Sequence, residues 1–358
     1  MAADQEAAEA VEIADRSKSK QVDRNGLREM RGPFSLVRII EQMRPRIAWA
    51  FVAVGILWGS AWIPASVVLR AMPGLRAGAV RFAVAAIFAT ALALLTRLRR
   101  QGISSAARTH LLRHSVVLGL TAIALPYALT FYAAGQVSSG TVAVVFAFMP
   151  LATLLLSREA ASAAIPALVI GVGGVAFLVA RGLSFSISQS KGAALTLCAV
   201  VLGGFSLNYA KTRLRRSDLL ASTSIQFACA AIFLGLLSAL FERGQLVWSH
   251  DTLLSLFILG MLISGLSLPL MYWLLMELAP WQVAGLQWSA TLIAVAESAW
   301  LLRAVPSLDM WAGTALIAGA TVWVLRERSA RDPETVTLQI TNHTPEAPAA
   351  SESEVGSK

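Results

Sequence analysis

The chain has 358 residues, of which 56% are hydrophobic and 14% charged, against about 45–50% and about 25% in ordinary soluble domains, which excludes a water-soluble globule. Its formal charge of +9 would suit nucleic acid, but the basic residues gather at the ends of apolar runs, where Lys and Arg set membrane orientation, so no nucleic-acid partner is expected. Cys198 and Cys229 lie in separate apolar segments without CxxC spacing or a nearby histidine, which argues against a disulfide framework, a metal site or a cofactor and predicts two small buried hydrophobes.

In chain order, residues 1–46 form a polar, charged tail, expected to be cytoplasmic and largely disordered, without the apolar core and small-residue cleavage site of a signal peptide. Its last part, PFSLVRIIEQMRPR at 33–46, reads either as a short interfacial helix or as a juxtamembrane linker. Ten apolar runs follow, at 47–69, 77–95, 114–134, 139–157, 163–180, 192–210, 219–241, 252–276, 281–302 and 308–325. Each is near the length of about 17–25 residues that a hydrocarbon core demands. Each is expected to be a helix, because lipid offers backbone groups no partner. The longest connection, about 96–113, is basic and should be cytoplasmic, and residues 327–358, rich in Pro, Ser, Thr and Glu, make a second disordered cytoplasmic tail.

Alternate sides of these runs differ in charge. One side carries eighteen Lys and Arg residues, among them Arg44, Arg46, Arg99, Arg113, Lys211, Arg216 and Arg326, whereas the other carries six, namely Arg70, Arg76, Arg181, Lys191, Arg243 and Arg303. Both termini are therefore expected in the cytoplasm of a multi-pass plasma (inner) membrane protein.

Residues 47–182 and 192–326 hold five runs each, and an offset of 143 places Leu125-Pro126 on Leu268-Pro269. The same offset brings Leu118-Gly119 near Leu259-Gly260 and Gly173 near Gly319. Because five is odd, the second block enters the membrane from the opposite side, and a pseudo-two-fold axis in the membrane plane should relate the two. Facing blocks of this kind can enclose polar and helix-breaking residues around a midplane cavity, which is transporter architecture.

Four stretches carry a family resemblance: LWGSAW in the first span, LRAGAVRFAVAA opening the second, LTFYAAGQVSSGTVAVVFAFMPL through the third and fourth, and the Gly-rich fifth and tenth spans. With the repeat and the span count, they resemble the EamA-type branch of the drug/metabolite transporter superfamily over about residues 47–326. The resemblance implies an all-helical membrane protein of ten helices in two inverted repeats. It also implies a secondary transporter that exports amino acids, other small metabolites or toxic compounds, often with proton coupling. Departures occur where the family often has Gly-Glu after the fourth and ninth spans: this chain has Ser157-Arg158-Glu159 and Leu302-Arg303-Ala304, and Pro150 has Ile293 as its offset partner.

Two ionisable groups lie clearly inside the spans, Arg81 and Glu297, and each carries an insertion cost of about 2.5–3.5 kcal/mol at the bilayer centre, so a cavity or a partner is expected. Counted from the outer ends at about 1.5 Å per residue, they lie about 6 and 8 Å deep, which permits a gating pair near the outer mouth. The alternatives are a snorkelling arginine and a glutamate bound to a hydroxyl or the backbone; Glu297 is also the candidate substrate contact or proton carrier.

Trp58 and Trp62, spaced i and i+4, should share a helix face and wall a cavity beside a kink at Pro64, while Trp49, Trp248, Trp281 and Trp311 are expected at the interfaces. Pro126, Pro150 and Pro269 mark further kinks. Tyr127, Thr130, Tyr132, Asn208, Tyr272, Trp273 and Gln287 are candidate cavity residues, with Gln226 a further hydrogen-bonding group, against the alternative of interhelical packing. Such a cavity suits an amino acid-like, aromatic or amphipathic solute. The absence of a GxxxxGK[ST] loop argues against ATP as direct energy source. His110, His114, His250 and His343 lie in loops or at span ends without paired carboxylates, which disfavours an enzyme such as a transferase. A lipid or sugar-nucleotide carrier of the same fold stays open, and glycines in the fifth and tenth spans fit a monomer or a homodimer equally.

Overall fold

A computed structural model describes residues 45–97, 105–134, 136–137, 139–157, 164–178, 187–301 and 308–326, and every regular element among them is helical. Both tails, the stretch 33–44, Arg158-Glu159, Arg181 and Leu302-Arg303-Ala304 lie outside the described residues. Six helical stretches are long and apolar enough to cross a membrane: Pro45–Ala71, Gly74–Thr96, Arg108–Ala133, Ser190–Arg213, Leu219–Phe241 and His250–Glu277. Thr141–Leu156, Ile165–Phe177 and Trp311–Leu325 are shorter apolar helices. The element order is α1 (Pro45–Gly59), α2 (Trp62–Ala71), α3 (Gly74–Arg97), α4 (Ser105–Leu118), α5 (Leu125–Ala134), α6 (Ser139–Ala147), α7 (Met149–Leu156), α8 (Ile165–Leu178), α9 (Ile187–Arg213), α10 (Leu219–Phe241), α11 (His250–Phe257), α12 (Ser267–Glu277), α13 (Pro280–Ala284), α14 (Leu286–Leu301) and α15 (Leu308–Arg326).

Several apolar runs are interrupted inside, each beside a proline or a glycine. In the first, the ladder reaches Ser60 N–H on Ile56 O, tightens to Ala61 N–H on Trp58 O, and restarts with Ala65 on Ala61; Pro64 has no N–H to offer Ser60. The fourth breaks at Phe148, whose N–H bonds Val145 O, just before Pro150. The ninth breaks at Gly285, between α13 and α14. The third and eighth are widened instead: π-helical turns at Gly119–Ala124 and Ile258–Leu266 precede Pro126 and Pro269, which absorb the carbonyls that a proline leaves unpaired. The third run also begins earlier than its hydropathy indicates. Helix α4 starts at Ser105, and His114, expected at a span end, is buried in it and hydrogen-bonded through Nδ1 to the Tyr209 hydroxyl at 2.6 Å.

The two halves contact each other reciprocally. Gly59 of the first run packs so closely on the ninth that a Cβ would lie 2.6 Å from the Ile293 Cβ and 2.9 Å from the Ala290 carbonyl. Near the offset partners, Gly203 of the sixth run meets Met149 and Gly204 meets the Thr153 backbone of the fourth. Likewise the third run lies on the seventh at Gly119, against Gln226 and Cys229, and the eighth on the second at Gly260, against Arg81 and Val84. The fifth and tenth runs pack on one another, with Gly174 against Leu316 and Ile317. Small residues at each crossing let backbones approach, which is how helices associate where lipid removes the hydrophobic drive. The outer surface of the bundle is apolar, including Ile87, Leu155, Ile232 and Leu240.

Trp49, Trp248 and Trp311 are exposed, but Trp281 is not an interfacial residue: it is 0% exposed and forms a core with Trp288, Leu168 and Ile317. It lies in α13, the short first segment of the broken ninth run, which is buried against α7 and α9, so its chain position near a span end does not place it at the surface. Both cysteines are free, and Cys198, expected to be buried, is exposed on the bundle surface.

Gly59→Ala forces the Ala290 backbone to move, and overpacking of this kind costs about 1–3 kcal/mol. A lowered thermal unfolding midpoint is expected in detergent solution. Gly173→Ala, where nothing lies within 4 Å, should leave the midpoint unchanged.

Candidate functional site

A cavity of about 470 Å³ opens among the first four and the sixth to ninth runs. The first half contributes Trp58 and Ala61 at the first break, Arg81 and Phe82, the widened turn and its sequel from Ala122 to Phe131, and Phe146 and Met149 astride the fourth break. The second half contributes Gly203, Ser206 and Leu207, then Phe227, then Ile263, Ser264, Ser267, Leu268, Met271 and Tyr272, and finally Val283, Ala284, Gln287 and Ala290. Among the described residues, the fifth and tenth runs supply none to the lining. The wall is mostly apolar with a few polar groups, the usual make-up of a small-molecule site of this size.

Among the described residues, Arg81 is the one lining residue with a permanent charge. Its Nε donates to Ser264 Oγ at 2.8 Å, and its guanidinium carbon lies 5.5 Å from the Phe82 ring centre and 5.6 Å from that of Tyr127. The rings hold the cation without neutralising it. The Trp58 indole donates to Ser267 Oγ at 2.9 Å, tying the first break to the widened turn of the eighth run. Tyr272, fully buried apart from its cavity face, donates to Gln226 Oε1 at 2.8 Å; Gln226 Nε2 donates to Ser222 Oγ at 2.9 Å, and Ser222 meets Ser115 Oγ at 2.8 Å. Three runs are stitched by this chain of buried polar groups, in which every member has a partner.

Of the residues singled out from the sequence, Trp58, Tyr127, Thr130, Tyr272, Gln287, Arg81 and Pro126 line the cavity. Trp62 does not. It is 62% exposed, because the break at Ser60-Ala61 interrupts the i, i+4 register and turns it away from Trp58. Tyr132 is 71% exposed on the bundle surface. Asn208 donates to the Thr153 carbonyl at 2.9 Å and the Gly204 carbonyl at 3.0 Å, a clamp between the sixth and fourth runs outside the lining. Trp273 lies outside as well, beneath the Arg216 guanidinium at 6.0 Å, which pairs with Glu277. Pro64 and Pro150 are buried behind the wall, and Pro269 borders an outward-facing groove.

The expected pair of Arg81 and Glu297 is not formed. Ser264 takes Arg81, while Glu297 accepts from Ser60 Oγ through Oε1, and its Oε2 is buried with no partner among the described residues. Equal depth in two spans does not fix which faces meet: Arg81 is on the helix that packs against the eighth run, Glu297 on the one that packs against the first. Ser264 and Ser267 were missed in the sequence because nine residues of π-helix shift the angular phase of their face. Phe82, Phe146 and Phe227 were missed because, in apolar runs, cavity-facing and lipid-facing phenylalanines carry the same pattern.

Residues 45–180 and 190–326 each match the EamA-like transporter family. Protein PagO of Salmonella typhimurium (strain LT2) is 24% identical over 221 residues, 60% of this chain and 71% of that protein. A protein solved by crystallography has the same fold at a TM-score of 0.65 and 19% identity, over 80% of this chain and 98% of the other.

Tyr272→Phe leaves the buried Gln226 oxygen without its donor, a loss of about 1–3 kcal/mol, expected as an earlier unfolding transition in a thermal scan of the detergent-purified protein. Tyr132→Phe on the surface should not shift it.

Proposed function

We propose that this chain, which belongs to the EamA-like transporter family, is a secondary-active exporter that moves a small metabolite across the plasma (inner) membrane by alternating access. Membership makes it a multi-pass membrane transporter of a small-molecule substrate. In this proposal ten spans form two inverted repeats, 47–182 and 192–326, with both termini cytoplasmic. The observation that carries it is the cavity: residues of the first four and the sixth to ninth runs enclose it, and the helix interruptions converge on it. Reciprocal contacts, first run on ninth and sixth on fourth, third on seventh and eighth on second, support the pseudo-two-fold relation, and rocking one repeat on the other would open the cavity to each side in turn.

A sugar nucleotide, with its two phosphates, would need more than one cation, and a wall of this apolarity favours an aromatic or amphipathic solute.

Proton coupling is assigned to Glu297. A carboxylate with one buried oxygen that has no donor among the described residues is costly, and a proton on Oε2 removes the charge while Ser60 holds Oε1. The helices packed on α14 bring charged residues only at their sequence ends: Arg46 on α1, Asp309 and Arg326 on α15, and none on α6, α8 or α13. Ser60 sits at the break of the first run, so protonation of Glu297 is linked to the bend of that helix.

An untargeted comparison of small molecules inside and outside cells tests both parts. One metabolite class should accumulate in the medium with the unmodified protein and not with an empty vector. With Glu297→Gln, export should lose its dependence on external pH. Equal metabolite levels with and without the protein refute export, and an unchanged pH profile in the variant refutes the coupling role.

A further inference from the structure

We infer that the cargo carries a carboxylate, bound by Arg81, on an aromatic or otherwise apolar body. This rests on the transporter reading of the same cavity and specifies the chemical class that the cavity takes.

Among the described residues that line it there is one arginine and no Asp, Glu, Lys or His, so these residues supply no counter-ion. Among the described residues no carboxylate forms an ion pair with Arg81, and its one hydrogen bond goes from Nε to the neutral Ser264 hydroxyl. An arginine stays protonated at any accessible pH, and a charge held within a span requires a partner. An anion on the cargo is the partner that the cavity lacks.

Geometry narrows the anion. Ser264 fixes the guanidinium at Nε, and the rings of Phe82 and Tyr127 approach its carbon at 5.5 and 5.6 Å. The terminal amino groups are left as the available donors, and a guanidinium edge is matched by two oxygens of one planar group. One arginine meets the single charge of a carboxylate, whereas a phosphate monoester would bring nearly two charges to one cation. Gln287 and Tyr127 also line the cavity, and the Gln287 side-chain amide and the Tyr127 hydroxyl have no hydrogen-bond partner among the described residues, so they are candidates to bond a second polar group on the cargo. The remaining wall, with Phe131, Phe146, Phe227 and Met271, suits a ring.

Among the described residues no lining carboxylate is present to hold an ammonium. An aromatic acid is therefore bound at least as well as the amino acid with the same ring, and an aromatic amine poorly.

The test uses the full chain in lipid nanodiscs and in liposomes, with four matched solutes: 3-phenylpropanoate, phenylalanine, 3-phenylpropanamide and phenethylamine. Binding is measured by calorimetry and movement by radiolabel exchange. The expected result is at least tenfold tighter binding of 3-phenylpropanoate than of its neutral amide, since charge-assisted bonds are the stronger ones, with phenylalanine no tighter than the acid. R81Q should abolish the difference between acid and amide, R81K should retain part of it, and S264A should reduce it by freeing Nε. If R81Q does not fold, the four-solute comparison on the unmodified protein decides. Failure of the acid to bind, equal or tighter binding of the amide or amine, or an unchanged preference in R81Q overturns the proposal. Exchange of the amide or amine across liposomes in that case would leave the transporter reading standing, whereas absence of exchange for the metabolite found in the medium would remove that reading itself.

Discussion

A helix inside a bilayer must satisfy its own backbone, and every place where it stops doing so has to be hidden from lipid. In this protein the interruptions fall in the same place. The break at Ser60-Ala61, the π-helical turn before Pro126, the break at Phe148, the longer π-helical turn before Pro269 and the break at Gly285 each send neighbouring residues to one cavity: Ala61, Ala122, Met149, Ser264 and Ala284. The cavity is where irregular backbone is tolerated, and the prolines and glycines that create the irregularity shape it.

The same constraint organises the packing around it. Uninterrupted helices contribute walls and fastenings: the second run lies against the seventh and eighth, and the fifth and tenth, with no side chain in the cavity, pack on each other. Polar groups behind the wall are used up within the protein. Asn208 clamps two carbonyls, Lys211 Nζ donates to the Leu275 and Leu278 carbonyls at the end of α12, and Glu242 accepts from the Leu75 and Arg76 N–H groups at the start of α3. Arg81, Gln287 and Tyr127 differ from these: they line the cavity, and among the described residues their side chains keep donors without a partner.

Much of the scaffold was legible in the sequence, because apolar length and breaker residues follow directly from the membrane as solvent. Leu125-Pro126 and Leu268-Pro269, matched by an offset of 143, do share one local construction, a π-helical turn followed by a proline. The wall was legible only where side chain type is informative, as for Trp58, Tyr127 and Gln287. Angular position was not legible. A single break carried Trp62 to the surface, a change of phase hid Ser264 and Ser267, and the partners of Arg81 and Glu297 depended on which helix each faces. Burial of Trp281 and His114 escaped for a related reason, since distance along the chain from a span end says little about depth in a bundle whose short helices tuck inward.

Gly174 and Ile317 stand 143 residues apart and touch each other, so a residue of the fifth run meets the one at that offset in the tenth, across the seam between the halves. Two separate copies of a five-helix unit would be obliged to set an identical side chain against itself there. Two isoleucines would collide, since even a Cβ on Gly174 would lie 2.9 Å from the Ile317 Cγ1, and two glycines would leave a void. Joining the copies in one polypeptide removes that obligation and lets a knob face a notch. The seam is thus the place where duplicated halves gain most by ceasing to be alike.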